Sequence, residues 1–164
     1  MYKIIYLLSI SMLLSLKCFS QEKTKNDKQE HQFDFWIGEW NVYKFGTDTI
    51  TGISSIKSIL NHKTIEENYQ SLKYKYKGKS LNTYNPTTKK WEQFWVDNSG
   101  LRLYMTGAYE NGKMILSDCE TNDKCNHITW TNMGDGTVRQ EWEQSMDKGK
   151  TWRKVFDGHY KKRE

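Results

Sequence analysis

Short runs of alternating polar and apolar residues fill most of the chain from residue 39 onward. Alternation with a period of two is typical of β-strands that bury one face. No segment keeps a helical period for longer than one turn, so long helices are not expected. The predicted strands cover residues 39–46, 50–60, 63–72, 78–85, 89–97, 101–109, 112–119, 125–133, 137–145 and 151–161.

Glycine, asparagine and aspartate separate these strands, as in Asn98-Ser99-Gly100 and Gly134-Asp135-Gly136. Such residues accept the positive φ that tight hairpins need. Short connections without crossover helices predict antiparallel neighbours. We therefore expect an all-β fold, an antiparallel up-and-down β-barrel of about ten strands. A β-sandwich is the alternative, but closure into a barrel removes the exposed sheet edges.

The first twenty residues have the pattern of a secretory signal peptide. Lys3 provides a positive start, residues 4–16 are almost wholly apolar, and residues 18–20 resemble a cleavage site. A membrane anchor is the alternative, but the apolar run is shorter than the roughly 20 residues that a bilayer span needs. We expect cleavage before Gln21, a secreted or periplasmic location and no stable membrane insertion afterwards.

Three regions follow from this pattern: a signal peptide over residues 1–20, a polar tether over 21–32 and a barrel domain over 33–164. The tether has no apolar residue and is expected to be disordered. Residues 33–37 are expected to form a short helical turn, with Asp34 near its start, that covers one end of the barrel.

Charge argues against a nucleic-acid partner. Cleavage would remove Lys3 and Lys17 and no acidic residue, so the 25 basic residues would fall to 23, against 20 acidic ones. The remaining bases are mostly scattered among acids, whereas nucleic-acid binding favours a basic stripe on one face. Aromatic residues make up 14% of the chain, which fits a barrel with aromatic-lined walls.

Two cysteines, Cys119 and Cys125, would remain after cleavage, with five residues between them. If they flank a hairpin turn in an oxidising compartment, they can form a disulfide that acts as a staple. Two free thiols in a reducing compartment are the alternative. The spacing does not match a redox pair, and there is no second cysteine pair to complete a zinc site.

The segment from Ser145 to Trp152 matches the Asp-box pattern Ser-x-Asp-x-Gly-x-Thr-Trp at every fixed position. Its aspartate accepts hydrogen bonds from turn amides and its tryptophan anchors the hairpin. A single copy in a chain too short for a propeller indicates a structural turn.

Together with the Asp-box, four segments carry a resemblance to a known family: residues 33–40, which include Gly38-Glu39-Trp40, and residues 65–69, 91–97 and 134–139. They resemble a family of bacterial secreted domains of unknown function in the lipocalin-like (calycin) superfamily. The resemblance covers about residues 33–161. It implies a β-barrel with a central cavity, but it implies no particular activity.

Strand alternation suggests which side chains could line that cavity, although the sequence does not say which face points inward. Trp40 is expected to close one end, and Glu67 and Arg139 to form a polar anchor. The alternative is that Glu67 and Arg139 form an exposed pair on the outer wall. The candidate lining residues are Tyr69, Tyr84, Trp95, Tyr104 and Trp142.

Three functions are compatible with such a cavity. We expect binding of a small apolar or amphipathic molecule, without a cofactor or metal. The alternative is an isomerase or hydrolase that uses Glu67 as an acid or base together with a neighbouring tyrosine or arginine. The sequence contains no recognisable catalytic triad or phosphate loop. Haem binding through a strand histidine, His127 or His159, is a third possibility. The histidines lack the spacing of zinc ligands.

Overall fold

The computed structural model describes residues 28–163. The predicted signal peptide and most of the predicted tether lie outside the described residues. Residues 28–30 are helical, and a short 3₁₀ helix spans Asp34–Trp36. The expected helical turn is therefore present. None of the helices in residues 28–163 has the length and apolar character needed to cross a membrane.

Ten strands form one sheet, and their bounds agree with the predicted ones to within about two residues at most ends. The strands are β1 Gly38–Lys44, β2 Ile50–Ile59, β3 Thr64–Ser71, β4 Lys77–Asn85, β5 Lys90–Asp97, β6 Arg102–Glu110, β7 Lys113–Ser117, β8 Cys125–Asn132, β9 Val138–Ser145 and β10 Arg153–Lys162.

The sheet closes on itself. Each strand pairs antiparallel with the next, and β1 also pairs with β10, with Trp40 opposite Lys162 and Val42 opposite Tyr160. Every strand thus has two neighbours and no edge is left unpaired. The fold is the predicted closed antiparallel barrel and not a sandwich.

Aromatic side chains fill one end of the barrel, which we call the closed end. Phe33 packs against Trp36, Trp91 and Trp130 with ring centroids 4.9, 5.7 and 5.2 Å apart. Trp40 Nε1 donates a hydrogen bond of 2.8 Å to the Trp36 carbonyl. Phe33, Trp36, Trp40 and Trp130 are fully buried, so the 3₁₀ turn and the first strand together seal this end.

Gly38 is required where the chain turns into β1. Its φ is +149°, which side chains rarely adopt, and a Cβ there would lie 2.1 Å from Lys162 Nζ. That ammonium group donates to the Ile37 carbonyl at 2.7 Å and lies 4.0 Å from the Trp40 ring centroid. The glycine of the Gly-x-Trp segment thus leaves room for a lysine that covers the closed end.

The opposite end, which we call the open end, carries the disulfide and the Asp-box-like turn. Cys119 and Cys125 are bonded, as predicted. In the turn between β9 and β10, Asp147 Oδ1 accepts hydrogen bonds from Ser145 Oγ and the Thr151 amide, both at 2.8 Å. The Ser145 hydroxyl also accepts the Gly149 amide at 2.7 Å. These bonds hold the loop that follows β9.

Removal of the Phe33 ring tests whether the closed end stabilises the barrel. We expect Phe33→Ala to lower the free energy of unfolding by about 3–5 kcal/mol, because the ring is fully buried. Phe94→Ala is the matched control, since the Phe94 ring is half exposed on the outer wall, and it should cost about 1 kcal/mol or less. Denaturant unfolding measures both. Equal losses would mean that the 3₁₀ turn does not seal the barrel.

Candidate functional site

A layer of polar side chains lies on the inner face of four neighbouring strands, β2 to β5. Ser54 Oγ donates to Glu67 Oε1 at 3.1 Å, and Ser80 Oγ donates to Glu67 Oε2 at 3.2 Å. Asn82 Nδ2 donates to Ser80 Oγ at 2.9 Å, and Gln93 Nε2 donates to Asn82 Oδ1 at 2.8 Å. The hydrogen bonds from Gln93 through Asn82 and Ser80 are therefore all donated in the direction of the Glu67 carboxylate. All five side chains are buried.

Glu67 is the ionisable group at the centre of this layer. Burial raises its pKa from 4.5 to about 7, although the hydrogen bonds from Ser54 and Ser80 favour the charged form. Two serine hydroxyls thus offset only part of the cost of removing a carboxylate from water. At neutral pH, protonated and ionised forms of Glu67 are both populated.

A cavity of about 50 Å³ lies between this polar layer and the open end. Its polar side is formed by the Glu67 carboxylate, by Gln93 and by Gln140, which accepts a short hydrogen bond from the Tyr160 hydroxyl. The remaining lining is apolar or aromatic: Tyr69, Tyr76, Trp95, Leu103, Ile128, Trp142 and Phe156.

Four of these rings form a continuous arc toward the open end. Phe156 meets Tyr69 at 6.2 Å, Tyr69 meets Tyr76 at 6.2 Å, and Tyr76 meets Trp95 at 6.5 Å between ring centroids. All four are partly exposed, whereas Glu67 is buried. The arc therefore lies between solvent and the carboxylate.

Glycines on the strand walls leave room for the arc. A Cβ at Gly78 would lie 2.1 Å from the Trp95 ring, and one at Gly52 would lie 2.6 Å from the Tyr69 hydroxyl. A Cβ at Gly158 would lie 2.6 Å from the Phe156 ring. These rings therefore pack directly on the backbone of the barrel wall and not across its centre.

Asp97 fixes two of the rings through their polar atoms. Its Oδ2 accepts hydrogen bonds from Tyr76 Oη at 2.9 Å and from Trp95 Nε1 at 3.2 Å. Burial would raise the pKa of Asp97, but hydrogen bonds from Ser99, Tyr76 and Trp95 outweigh burial and lower it. Burial and the Asp97 carboxylate raise the pKa of Tyr76. Burial and the charge of Glu67 raise the pKa of Tyr69 to about 12, so both hydroxyls stay protonated.

The disulfide loop holds the opposite wall of the cavity. Trp142 Nε1 donates to Asn126 Oδ1 at 2.9 Å, and Asn126 Nδ2 donates to Asp118 Oδ2 at 3.0 Å. Asp118 and Asn126 directly flank Cys119 and Cys125 in sequence. The disulfide therefore constrains the segment that positions the Trp142 ring.

The candidate residues from the sequence fall in three places. Glu67, Tyr69, Trp95 and Trp142 line the cavity. Trp40 and Tyr84 are also buried inside the barrel, but they belong to the closed end, where Tyr84 meets Trp91 at 6.1 Å. Tyr104 and Arg139 face outward.

Arg139 does not pair with Glu67. Its Nε and Nη2 each bond Asp157 at 2.9 Å, Nη2 also lies 2.9 Å from Glu141, and the guanidinium lies 3.8 Å from the Phe45 ring centroid. Tyr104 is half exposed and packs on Phe94 at 4.6 Å. Glu67 thus lies inside the barrel, whereas Arg139 lies on the outer wall.

The strand histidines also face outward. His159 bonds Thr137 Oγ1 at 2.9 Å, and His127 packs on Trp152 with 5.6 Å between ring centroids. Neither lines the cavity, so neither is placed to bind a haem held inside the barrel. Within residues 28–163, Asp118, Cys119 and Cys125 form the one cluster of three potential metal ligands, but both sulfurs belong to the disulfide.

Several residues of the polar layer and of the cavity were not among the sequence candidates. Ser54, Ser80 and Gln140 occupy inward positions of β2, β4 and β9, and alternation with exposed neighbours marks Ser80 as an interior polar residue. Ser54 and Ser80 lie 13 residues before and after Glu67, and both donate hydrogen bonds to its carboxylate. The two hairpins that flank β3 set this spacing. Tyr76 lies in the loop before β4, where alternation gives no signal.

No known protein-family model matches the sequence, and no curated protein is similar to it at a significant level.

The titration of Glu67 makes stability depend on pH. Below pH 4.5 the carboxyl is protonated in both the folded and the unfolded state. Between pH 4.5 and about 7 the unfolded chain loses this proton while the folded barrel keeps it, so stability falls as pH rises. We expect wild type to lose about 3 kcal/mol across this range relative to Glu67→Gln, measured by denaturant unfolding. Glu66→Gln, on the outer face of the same strand, should follow wild type. Parallel curves for wild type and Glu67→Gln would contradict the buried site.

A double-mutant cycle tests the packing of Trp95 on the strand wall. Gly78→Ala should destabilise the barrel by more than 1 kcal/mol, because the new Cβ overlaps the Trp95 ring. In a Trp95→Ala background the same change should cost far less, since the clashing ring is gone. Unfolding free energies of the four proteins give the coupling. If the losses of unfolding free energy were additive, the absence of a side chain at Gly78 would not be what makes room for the Trp95 ring.

Proposed function

We propose that this chain is an exported, lipocalin-like binding protein that holds the head group of a small amphipathic molecule inside its barrel. One observation carries the proposal. Buried rings pack the closed end, whereas the half toward the open end keeps a cavity of about 50 Å³ that is bounded by a buried carboxylate and an arc of aromatic rings. A few polar groups in an otherwise aromatic cavity are typical of small-molecule sites.

The size of the cavity limits what can enter it. A volume of about 50 Å³ is far below the roughly 300–1,000 Å³ of pockets that enclose drug-sized ligands. Only a compact group fits beside Glu67 unless the rings move. The apolar part of the ligand then lies against the partly exposed rings, including Tyr69 and Trp95, on the side of the open end.

Export is part of the proposal. The apolar N-terminal segment has the pattern of a signal peptide, and a disulfide is most stable in an oxidising compartment. The Gly-x-Trp start and the ten-stranded barrel support membership of the calycin superfamily. The hydrogen bonds of Asp147 and Ser145 support the assignment of residues 145–152 as an Asp-box used as a structural turn.

A second candidate function is acid–base catalysis in the same cavity. It is favoured by the pKa of Glu67 near 7, because a general acid or base works best when its pKa is close to the working pH. Tyr69 and Tyr160 also line this cavity. An isomerase or hydrolase of small molecules would use Glu67 in this way.

Tryptophan emission tests the proposed binding, because Trp95 and Trp142 line the cavity. We expect titration with six-carbon amphipaths of different head groups to shift the emission of wild type and to give a weaker shift in Trp142→Phe. Trp152→Phe is the matched control, since Trp152 lies outside the barrel against His127. The absence of a response to every head group would contradict the proposal. Mass spectrometry of the recovered amphipath separates the two functions, since a carrier returns it unchanged and an enzyme does not.

A further inference from the structure

We propose that the group bound in this cavity is an ammonium ion, the charged end of a small primary alkylamine, seated between the Glu67 carboxylate and the arc of rings. The inference rests on the proposed binding function and names its ligand class. The geometry points to it through charge, ring chemistry and size.

The charge of the cavity lining favours a cationic ligand. Among the described residues that line the cavity, Glu67 is the one carboxylate, and none is lysine, arginine or histidine. The groups that face Glu67 from the packed strands are the hydroxyls of Ser54 and Ser80, the amides of Gln93 and Gln140, and the phenols of Tyr69 and Tyr160. The ionised carboxylate therefore has hydrogen bonds but no cation, and a cationic ligand would supply one.

The aromatic rings of the lining also favour a cationic ligand. Tyr69, Tyr76, Trp95, Trp142 and Phe156 surround the space in front of the carboxylate. The faces of such rings attract cations, and most strongly where the contact is shielded from water. An anionic head group would meet the negative faces of the rings and the charge of Glu67, with no positive side chain in the lining to offset them.

The size of the cavity favours a primary ammonium group. A primary ammonium group is compact enough for a cavity of about 50 Å³ and donates three hydrogen bonds. The lining offers acceptors in the Glu67 oxygens, the amide oxygens of Gln93 and Gln140 and the tyrosine hydroxyls. The alkyl chain can then leave past Tyr69 and Phe156 toward the open end.

Protonation of Glu67 must then oppose binding. An ammonium ion favours the ionised carboxylate, so its affinity should fall as pH drops below the pKa of Glu67, about 7. A neutral ligand such as an alcohol does not share this dependence. The two phenols that face Glu67 stay protonated over this range, because their pKa values are raised.

The test compares hexylammonium, hexanol and hexanoate as probes, by calorimetry and tryptophan emission. We expect hexylammonium to bind wild type at least tenfold more tightly than either other probe at pH 8. Its dissociation constant should rise severalfold between pH 8 and pH 6, and at least tenfold in Glu67→Gln. Glu66→Gln, which faces outward from the same strand, should bind as wild type does.

The outcomes distinguish a failure of the ammonium assignment from a failure of the proposed binding function. Binding of hexanol or hexanoate as tight as that of hexylammonium would overturn the ammonium assignment and leave the binding function standing. Unchanged hexylammonium affinity in Glu67→Gln would also overturn it. Should Glu67→Gln fail to fold, a pH-independent affinity of wild type for hexylammonium between pH 8 and pH 6 would overturn it equally. If none of the three probes binds, the proposed binding function fails as well.

Discussion

Closure of the sheet by the β1–β10 pairing fixes the interior that the rest of the molecule must fill. Ten strands enclose a space into which their inward side chains point from all sides. If a strand shifted by one residue, its inward side chains would turn to the solvent. At the closed end the chain adds two more rings, Phe33 and Trp36, ahead of the first strand. In the other half, the described residues leave a cavity of about 50 Å³.

The contents of the two halves differ because of this added segment. The closed end is packed by large rings, with Trp40 and Trp130 fully buried. In the other half, small inward residues such as Gly52, Gly78 and Gly158 let neighbouring rings lie on the strand walls, which keeps the space between them. A carboxylate as buried as that of Glu67 lowers stability at neutral pH, and such a cost at a buried residue is typical of a functional group.

Sequence reasoning predicted the strands well because the turn residues and the alternation are local signals. The disulfide was also predictable, since Cys119 and Cys125 flank one turn and each had one possible partner. The cavity was only partly predictable. Alternation groups Glu67 with Tyr69 but does not say which face is inside. Arg139 and Trp142 lie on opposite faces of β9, so no single choice of face could have placed both in the cavity. Tyr76 enters from a loop, and its position depends on Asp97, 21 residues away.

The barrel holds an acidic group away from water beside a space that a ligand can share. The most direct measurement is an NMR titration of the Glu67 carboxyl carbon in the ligand-free protein, assigned by comparison with Glu67→Gln. We expect a single transition with its midpoint near pH 7. A midpoint near 4.5, the ordinary value for a solvated glutamate, would mean that Glu67 is hydrated and that the barrel does not enclose it.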